Sequence, residues 1–249
     1  MILFFGDVHG DFSHVRPLVE QHQPQAVIFL GDLEASAPLD QVLTDVMELT
    51  RVWWIPGNHD TDSLETYQNL YGSTLATRNL HGKVVEIAGL RIAGLGGVFR
   101  SAVWYPRENM NTLPLYYSYN VAARSLMPAE LAKIYRASRD KYASVNDVEP
   151  PLVGKGLLHK STIFPDVWQR LAAQEADILV THEAPSCHHN GFVAITELAR
   201  VMRVKQLFHG HQHARLDYRE SWQRMGFLAF GAGFREVLDL DGNVLHESQ

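Results

Sequence analysis

The sequence predicts an α/β protein whose sheet begins parallel and becomes mixed. In the first quarter of the chain, short apolar runs occupy residues 2–5, 26–30 and 52–55, and each ends in a polar loop that contains glycine. Helix-like segments separate these runs. Continuous apolar runs are typical of strands covered on both faces, and the repeat of strand, loop and helix is typical of a parallel sheet. We therefore expect the loops to meet at the carboxyl edge of the sheet, where ligands bind in such proteins.

The bulk composition predicts a cytoplasmic protein made of a single domain that spans residues 1–249. With 46% hydrophobic content, a chain of 249 residues can bury a sizeable core. Its net charge of −6 disfavours a general nucleic-acid binder, because phosphate contacts need clustered Lys and Arg. Cys187 is the single cysteine, so no intrachain disulfide can form. The N-terminus has no cationic leader and predicts a first strand, and no segment reaches membrane-spanning length.

Further elements are predicted by the same patterns. A hairpin around Ala88 and Gly89 joins two apolar runs, and at this point the sheet becomes mixed. The predicted later strands cover residues 84–87, 90–95, 177–180 and 205–207, followed by closing antiparallel strands at 226–230 and 236–240. The predicted helices include residues 39–49, 128–142 and 196–204. Asp11 is predicted to cap a helix that begins near Phe12.

The regular alternation of strands and helices is lost between about residues 100 and 165. The segment is rich in tyrosine and proline, and residues 100–170 carry ten Lys and Arg against six Asp and Glu. That gives this stretch a net charge of +4 and the rest of the chain −10, against −6 overall. An aromatic and basic insertion is consistent with a lid over an anionic substrate, with Arg100 as a substrate-binding residue. A solvated helical face with a surface arginine is the alternative.

Potential metal ligands follow the predicted strands at the point where each strand ends. They are Asp7, His9, Asp32, Asn58, His59, His182, His211 and His213. The spacing of two residues between Asp7 and His9 points both side chains in roughly the same direction. The set is large enough for two divalent ions that share one carboxylate. Its mixture of carboxylate, amide and imidazole groups suits Mn²⁺, Fe or Zn²⁺, whereas Mg²⁺ and Ca²⁺ favour fewer imidazoles.

These motifs resemble those of the calcineurin-like metallophosphoesterases. The resemblance spans nearly the whole chain and rests on five motifs that occur in order. They are Asp7-x-His9, Gly31-Asp32, Gly57-Asn58-His59-Asp60, His182 and Gly210-His211-x-His213. The resemblance implies a four-layer α/β/β/α sandwich with a mixed two-sheet core. The inserted, lid-like segment at about 100–165 is predicted from its own residues.

The resemblance also implies a role for each matching residue. The implied metal ligands are Asp7, His9 and His213 for one ion and Asn58, His182 and His211 for the other, with Asp32 bridging both. The expected cofactor is two divalent ions, with Mn²⁺ favoured and Fe or Zn²⁺ as alternatives. His59 is then the non-ligand catalytic histidine that faces the scissile phosphate, with Asp60 as its orienting partner.

The implied reaction is hydrolysis of a phosphomonoester or phosphodiester by a metal-bound hydroxide, with a phosphorylated small molecule or nucleotide as substrate. The chain departs from the phosphoprotein phosphatases, because Ala35 and Ser36 stand where that branch has an Asp-Arg pair. A Ser/Thr protein phosphatase and a nuclease of the same superfamily are the alternatives; salt dependence of turnover would identify the nuclease. A non-enzymatic scaffold is disfavoured by the intact ligands, and no membrane partner is expected. The shared motifs do not fix the substrate.

Overall fold

The computed structural model describes residues 1–133 and 152–247, and these residues contain two β-sheets. The strands, in chain order, are β1 (Ile2–Phe5), β2 (Ala26–Phe29), β3 (Arg51–Trp54), β4 (Lys83–Ile87), β5 (Leu90–Leu95), β6 (Ile178–Thr181), β7 (Gln206–His209), β8 (Leu216–Asp217), β9 (Leu228–Gly231), β10 (Val237–Leu238) and β11 (Val244–His246). The helices are α1 (Val15–His22), α2 (Leu39–Val42), α3 (Thr44–Met47), α4 (Leu64–Tyr71), α5 (Tyr119–Ser125), α6 (Lys155–Leu158), α7 (Pro165–Ala172), α8 (Val193–Val201) and α9 (Trp222–Met225). None of the described helices combines the length and the apolar character needed to cross a membrane.

Both sheets are mixed, which confirms the predicted class. The first sheet has the strand order β11-β10-β1-β2-β3, in which β1, β2 and β3 run parallel and β10 runs antiparallel to β1. The second has the order β4-β5-β6-β7-β9-β8, with a parallel centre of β5, β6, β7 and β9. The predicted hairpin joins β4 to β5 through Ala88 and Gly89, both of which have left-handed backbone angles.

The two sheets pack face to face, and helices cover their outer faces. Phe4 in β1 stacks on Phe208 in β7 with ring centroids 3.8 Å apart, and both rings belong to an apolar cluster shared by the two sheets. Leu3 and Phe5 alternate to the other face of β1 and pack against α1 residues such as Val15. Strands buried on both faces are thus apolar at every position, because each side chain enters one of two cores.

The described part of the inserted segment packs against the outer face of the second sheet. Trp104 and Ala122 belong to the same apolar cluster as Leu198 of α8. The two ends of the insertion pair with each other, since Val98 donates its N–H to Ser161 O (2.9 Å) and accepts one from Ile163 (3.0 Å). The predicted helix at 128–142 lies largely outside the described residues, of which 129–133 are helical.

The tail agrees only in part with the predicted closing antiparallel strands, since β9 also pairs antiparallel with β8. β9 runs parallel to β7 in the second sheet, whereas β10 pairs antiparallel with β1 in the first. The chain reaches β9 by way of β8 and α9, and a connection of this length can bring a strand back in the parallel direction. β8 and β11 are short edge strands that the sequence pattern did not indicate.

Two predictions about helices are also corrected. The helix expected over residues 39–49 is divided into α2 and α3 at Leu43. Asp11 does not cap α1: its Oδ1 accepts the N–H of Ser13 (2.9 Å), whereas α1 begins at Val15 and has His14 at its N-cap. A short polar turn therefore intervenes between the loop and the helix.

Candidate metal centre

The ends of five strands bring the predicted ligands to one edge between the sheets. The loop after β1 carries Asp7 and His9, and the loops after β2, β3, β6 and β7 carry the others: Asp32, Asn58, His182, His211 and His213. The parallel strands are in register, with Phe5 opposite Phe29 and Phe29 opposite Trp54. In the second sheet, Thr181 lies opposite His209. Because neighbouring strands end at the same level, their loops converge.

The side chains form two groups with metal-binding spacing. In the first, ligand atoms of Asp7, His9, Asp32 and His213 all lie within 4.8 Å of one another. In the second, the same holds for Asp32, His182 and His211. Asp32 is the member common to both. The amide oxygen Oδ1 of Asn58 lies 3.2 Å from His182 Nε2, beside the second group.

The chemistry of these groups fits two divalent cations. Asp7 and Asp32 are almost fully buried, and in the described part of the chain their carboxylates form ion pairs with histidines alone, without Lys or Arg. Buried carboxylates need a compensating charge. The Nε2 atoms of His9 and His213 face each other at 3.0 Å, as two nitrogens directed at a common ligand position do. Borderline divalent ions take this mixture of oxygen and imidazole ligands.

Hydrogen bonds from the surrounding loops orient these side chains. His9 Nδ1 lies 2.8 Å from Glu34 Oε1, which leaves Nε2 directed into the first group. His182 Nδ1 donates to the Leu30 carbonyl (2.8 Å), so its Nε2 faces Asp32 Oδ2 at 3.3 Å. Asp7 Oδ2 accepts the backbone N–H of His211 (2.9 Å). Partners of this kind fix the imidazole tautomer and ring orientation of a metal ligand.

The electrostatics of the site couple Asp32 to His182. Burial would raise the pKa of Asp32, but the adjacent His182 and the backbone N–H of His59 outweigh it and hold that pKa below its usual value. Burial would lower the pKa of His182, yet Asp32 and Asp7 raise it to about 10. Burial lowers the pKa of His211 to about 4, so that its imidazole is neutral and available as a ligand.

The backbone of this edge is unusual. Several site residues have left-handed φ angles, namely His9 (43°), Asp32 (47°), Glu34 (45°), His211 (69°) and His213 (51°). Such angles are uncommon outside glycine and cluster at functional sites. Gly57 has a steric role, because a Cβ at this position would lie 2.1 Å from Asp32 Oδ1. The loops are therefore tightly folded, and their uncommon backbone angles accompany the close placement of the candidate ligands.

His59 lies beside the first group, but its partner is not the predicted one. Its Nδ1 is 2.6 Å from Asp62 Oδ2, and its ring centroid is 5.6 Å from that of His9. Although burial lowers the pKa of His59, its hydrogen bond with Asp62 and the charge of Asp32 raise it overall. Asp62 was missed at the sequence level, where its spacing of three residues from His59 was the available signal. In the 3₁₀ turn His59–Thr61, side chains three residues apart lie on the same side.

In the structure, the carboxylate of Asp60 is directed at backbone N–H groups and not at the ring of His59, where it was predicted. Asp60 is fully buried, and its carboxylate accepts three backbone N–H bonds, from Leu33 (2.8 Å), Glu34 (2.9 Å) and Gly57 (2.8 Å). Burial, together with the charge of Asp32, raises its pKa to about 7. Asp60 thus ties the loop after β2 to the loop after β3.

Arg100 lines a cavity of about 370 Å³ that also has Asn58 and His211 in its wall. Its Nε donates to Thr162 Oγ1 (3.1 Å) and its Nη2 to Ser161 Oγ (3.4 Å). A second arginine that sequence reasoning missed, Arg107, lines the same cavity. Only the folding of the insertion brings Arg107 to this edge, and no local motif marks it.

Two further acidic residues lie close to the candidate ligands. Glu34 follows Asp32 by two residues, the same spacing as Asp7 and His9, and this was an available but unused signal. Glu183 is buried beside His182, and burial raises its pKa to about 7. His209, by contrast, is buried and stacks against Tyr218 outside both groups.

Comparisons with known proteins identify the family and the fold. The family model described as calcineurin-like phosphoesterase matches residues 1–215. An uncharacterized protein of Haemophilus influenzae is 37% identical over 246 residues, which covers 98% of this chain and 96% of that protein. The solved structure of TT1561 of Thermus thermophilus has a TM-score of 0.54 at 15% identity, covering 98% and 96% of the two chains. A second solved structure has a TM-score of 0.52 at 13% identity, with 99% and 98% covered. At these identities the two structures are similar in fold alone.

Proposed function

This chain belongs to the calcineurin-like phosphoesterases, and we propose that it is a metal-dependent hydrolase that cleaves phosphomonoester or phosphodiester bonds in a phosphorylated small molecule or nucleotide. The observation that carries the proposal is the position of Asp32, whose carboxylate belongs to both groups of candidate ligands. A carboxylate shared in this way is suited to bridge two ions.

The proposed ligands of the first ion are Asp7, His9 and His213, and those of the second are Asn58, His182 and His211, with Asp32 between them. Mn²⁺ is the favoured metal, and Fe or Zn²⁺ are the alternatives. When bound, a pair of divalent ions lowers the pKa of a coordinated water and neutralises negative charge on the phosphate. The protein contributes the fixed orientation of these side chains and a partly enclosed cavity beside them.

We assign His59 to proton transfer at the leaving oxygen. With Nδ1 held by Asp62, Nε2 is the ring nitrogen free to pass a proton to the oxygen that departs from phosphorus. The hydrogen bond with Asp62 supports this role, because a carboxylate beside Nδ1 stabilises the protonated ring, which is the form that donates. This chain has Ala35 and Ser36 in place of the Asp-Arg pair of the phosphoprotein phosphatase motif. We therefore assign the orientation of His59 to Asp62.

The cavity favours a small substrate over a nucleic-acid strand or a folded phosphoprotein. Its volume of about 370 Å³ lies in the range of small-molecule sites, and its walls include residues of the insertion such as Tyr105. A nuclease would instead need an extended basic groove. Among the alternatives, hydrolysis of a small phosphate ester therefore has the best geometric support.

The proposal is tested by loading purified protein separately with Mn²⁺, Zn²⁺ and Fe²⁺ and measuring bound metal and hydrolysis together. The substrate panel contains an aryl phosphate, an aryl phosphodiester, nucleotides, phosphopeptides and single-stranded oligonucleotides. The Asn58→Ala protein, purified in parallel, controls for contaminating phosphatases. Protein that binds two ions per chain and hydrolyses no phosphate ester would overturn the proposal.

A further inference from the structure

We propose that the cavity beside the metal centre binds a second phosphate group, so that the substrate is a small organic bisphosphate. This inference rests on the proposed function. The cavity extends from Asn58 and His211 to two arginines, Arg100 and Arg107. One phosphate is placed at the ligand cluster for hydrolysis, and the other is held by the two guanidinium groups.

The first observation is that neither arginine has a carboxylate partner. In residues 1–133 and 152–247, Arg100 donates to the hydroxyls of Ser161 and Thr162, and Arg107 donates to His189 O (2.7 Å) and Asn190 Oδ1 (3.1 Å). All of these acceptors are neutral. Elsewhere in the described chain, arginines such as Arg16 form close ion pairs with acidic residues. Neutral acceptors fix the guanidinium planes without neutralising their charge.

The second observation is the charge balance in the cavity wall. Glu183 is the one acidic residue that lines the cavity with Arg100 and Arg107 in the described part of the chain. Its Oε1 accepts the backbone N–H of Phe99 (3.3 Å), which positions it against the wall. Two cations and one carboxyl group leave an excess of positive charge. A dianionic phosphate matches two guanidinium groups, whereas a single carboxylate is matched by one.

The third observation is that the two arginines are anchored by different segments of the chain. Arg100 is tied to residues 161–162 at the end of the insertion, where Ser161 Oγ also lies 2.6 Å from Thr61 Oγ1 in the His59 loop. Arg107 is tied to residues 189–190 in the loop after His182. Both arginines are half-buried, so little side-chain freedom remains to be lost when an anion binds.

The cavity wall also accounts for the organic part of the substrate. Phe192 is buried behind Tyr105, with ring centroids 5.1 Å apart in an edge-to-face arrangement, and both rings line the cavity. An apolar linker between two phosphates would contact these rings. In the reaction, water adds to phosphorus, the bond from phosphorus to the organic oxygen breaks, and that oxygen takes up a proton. The products are inorganic phosphate and the organic monophosphate, whose remaining phosphate is the group held by the arginines.

The test uses metal-loaded protein and three families of substrate built on linear alkyl chains of several lengths. The families are the alkyl monophosphates, the ω-carboxyalkyl phosphates and the alkanediol bisphosphates, with an aryl phosphate as the generic substrate. At the best chain length, we expect kcat/KM for the bisphosphate to exceed that for the monophosphate by roughly 100-fold. Arg100→Gln and Arg107→Gln should each reduce this ratio by roughly 10-fold. Arg124→Gln, an exposed arginine of the same insertion, is the matched control and should leave the ratio unchanged.

A second measurement guards against poor folding of the arginine variants. In the unaltered protein, alkane bisphosphonates, whose C–P bonds this reaction does not cleave, should inhibit aryl phosphate hydrolysis at much lower concentrations than alkane monophosphonates. Aryl phosphate hydrolysis without any bisphosphate preference at any chain length would overturn the inference and leave the proposed function standing. Equal preference for the ω-carboxyalkyl phosphates would also overturn it. Unaltered protein that binds two ions per chain but hydrolyses none of these phosphate esters would overturn the proposed function itself.

Discussion

The strand-end edge and the insertion at about residues 100–165 are built in opposite ways. At the edge, short loops adopt left-handed backbone angles and direct polar side chains toward one another, as at the partly buried His9 and the buried Asp32. In the described part of the insertion, Gly154 alone has a positive φ, and the segment is fixed instead by apolar packing around Trp104. The first region is held by polar constraints and the second by burial of apolar surface.

This difference suits the two regions to the different roles that we propose for them. The edge carries the groups that we propose to act on phosphorus, and the insertion contributes Arg100, Tyr105 and Arg107 to the adjoining cavity. Changes at the edge should therefore alter metal content and kcat. Changes in the insertion should alter stability or substrate choice. The insertion is not a loose appendage, because its apolar residues complete the cluster on the second sheet.

The largest effect is expected for Asp32→Asn at the centre of the edge. Because this residue belongs to both ligand groups, the substitution should reduce bound metal from two ions per chain to one or fewer and lower kcat/KM by more than about 10³-fold. Elemental analysis of protein reconstituted with Mn²⁺ or Zn²⁺ measures the first outcome. Asp45→Asn, an exposed aspartate on α3, is the control. A stoichiometry of one ion in the unaltered protein, with Asp32→Asn fully active, would refute the bridging role.

His59→Ala should affect catalysis without affecting metal content. Loss of the proposed proton donor should lower kcat by roughly 10²- to 10⁴-fold, the usual contribution of general acid catalysis. Asn58→Ala, one residue earlier, should instead lower the metal content, since its amide oxygen lies beside His182. If His59→Ala also lost an ion, then His59 would be a ligand and its assignment would be wrong.

Trp104→Ala tests whether the insertion is part of the core. The side chain is 5% exposed and packs edge-to-face against Phe99 and Trp168, so its removal should lower the free energy of unfolding by about 3 to 5 kcal/mol. Urea denaturation provides the measurement. Trp222→Ala, at a position 53% exposed, should change it by less than about 0.5 kcal/mol. Similar small changes in both variants would show that the insertion is peripheral.

The smallest effect is expected for Asp62→Asn. Comparison with Asp60→Asn distinguishes a carboxylate that orients His59 from one that stabilises the loops. Asp62→Asn weakens the hydrogen bond to His59 Nδ1, so it should lower kcat by about 10-fold and leave the free energy of unfolding nearly unchanged. Asp60→Asn should do the reverse, because an amide NH₂ cannot accept the backbone N–H bonds that the carboxylate does, which costs about 1 to 3 kcal/mol of stability.

Kinetics and denaturation measured on both aspartate variants separate the two roles. A variant at position 60 that folds normally but turns over slowly would restore Asp60 as the partner of His59. A variant at position 62 that unfolds readily would assign Asp62 to structure. Either result would contradict the distinction between these two neighbouring carboxylates.

The sequence by itself determined the fold class and the chain positions of the candidate ligands. Continuous apolar runs identified strands such as β1 and β6, and each polar loop follows its strand directly, so these features depend on local order alone. The same local information predicted the β4 and β5 hairpin, because the strands are neighbours in the chain. Two-residue periodicity could not predict the direction of β9, since a strand pairs in either direction with equal apolar content.

Only the tertiary structure decided which groups surround the candidate ligands. The distinction between Asp60 and Asp62 depends on which backbone N–H groups of a different loop lie nearby, and Arg107 reaches the cavity because the insertion folds back on α8. Such contacts join residues that are far apart in sequence, for example Arg107 and Asn190. Their geometry is set by the packing of whole layers, in which many side chains constrain each position at once. No short stretch of sequence contains that information, and this is the physical reason that the strand ends could be predicted whereas their surroundings could not.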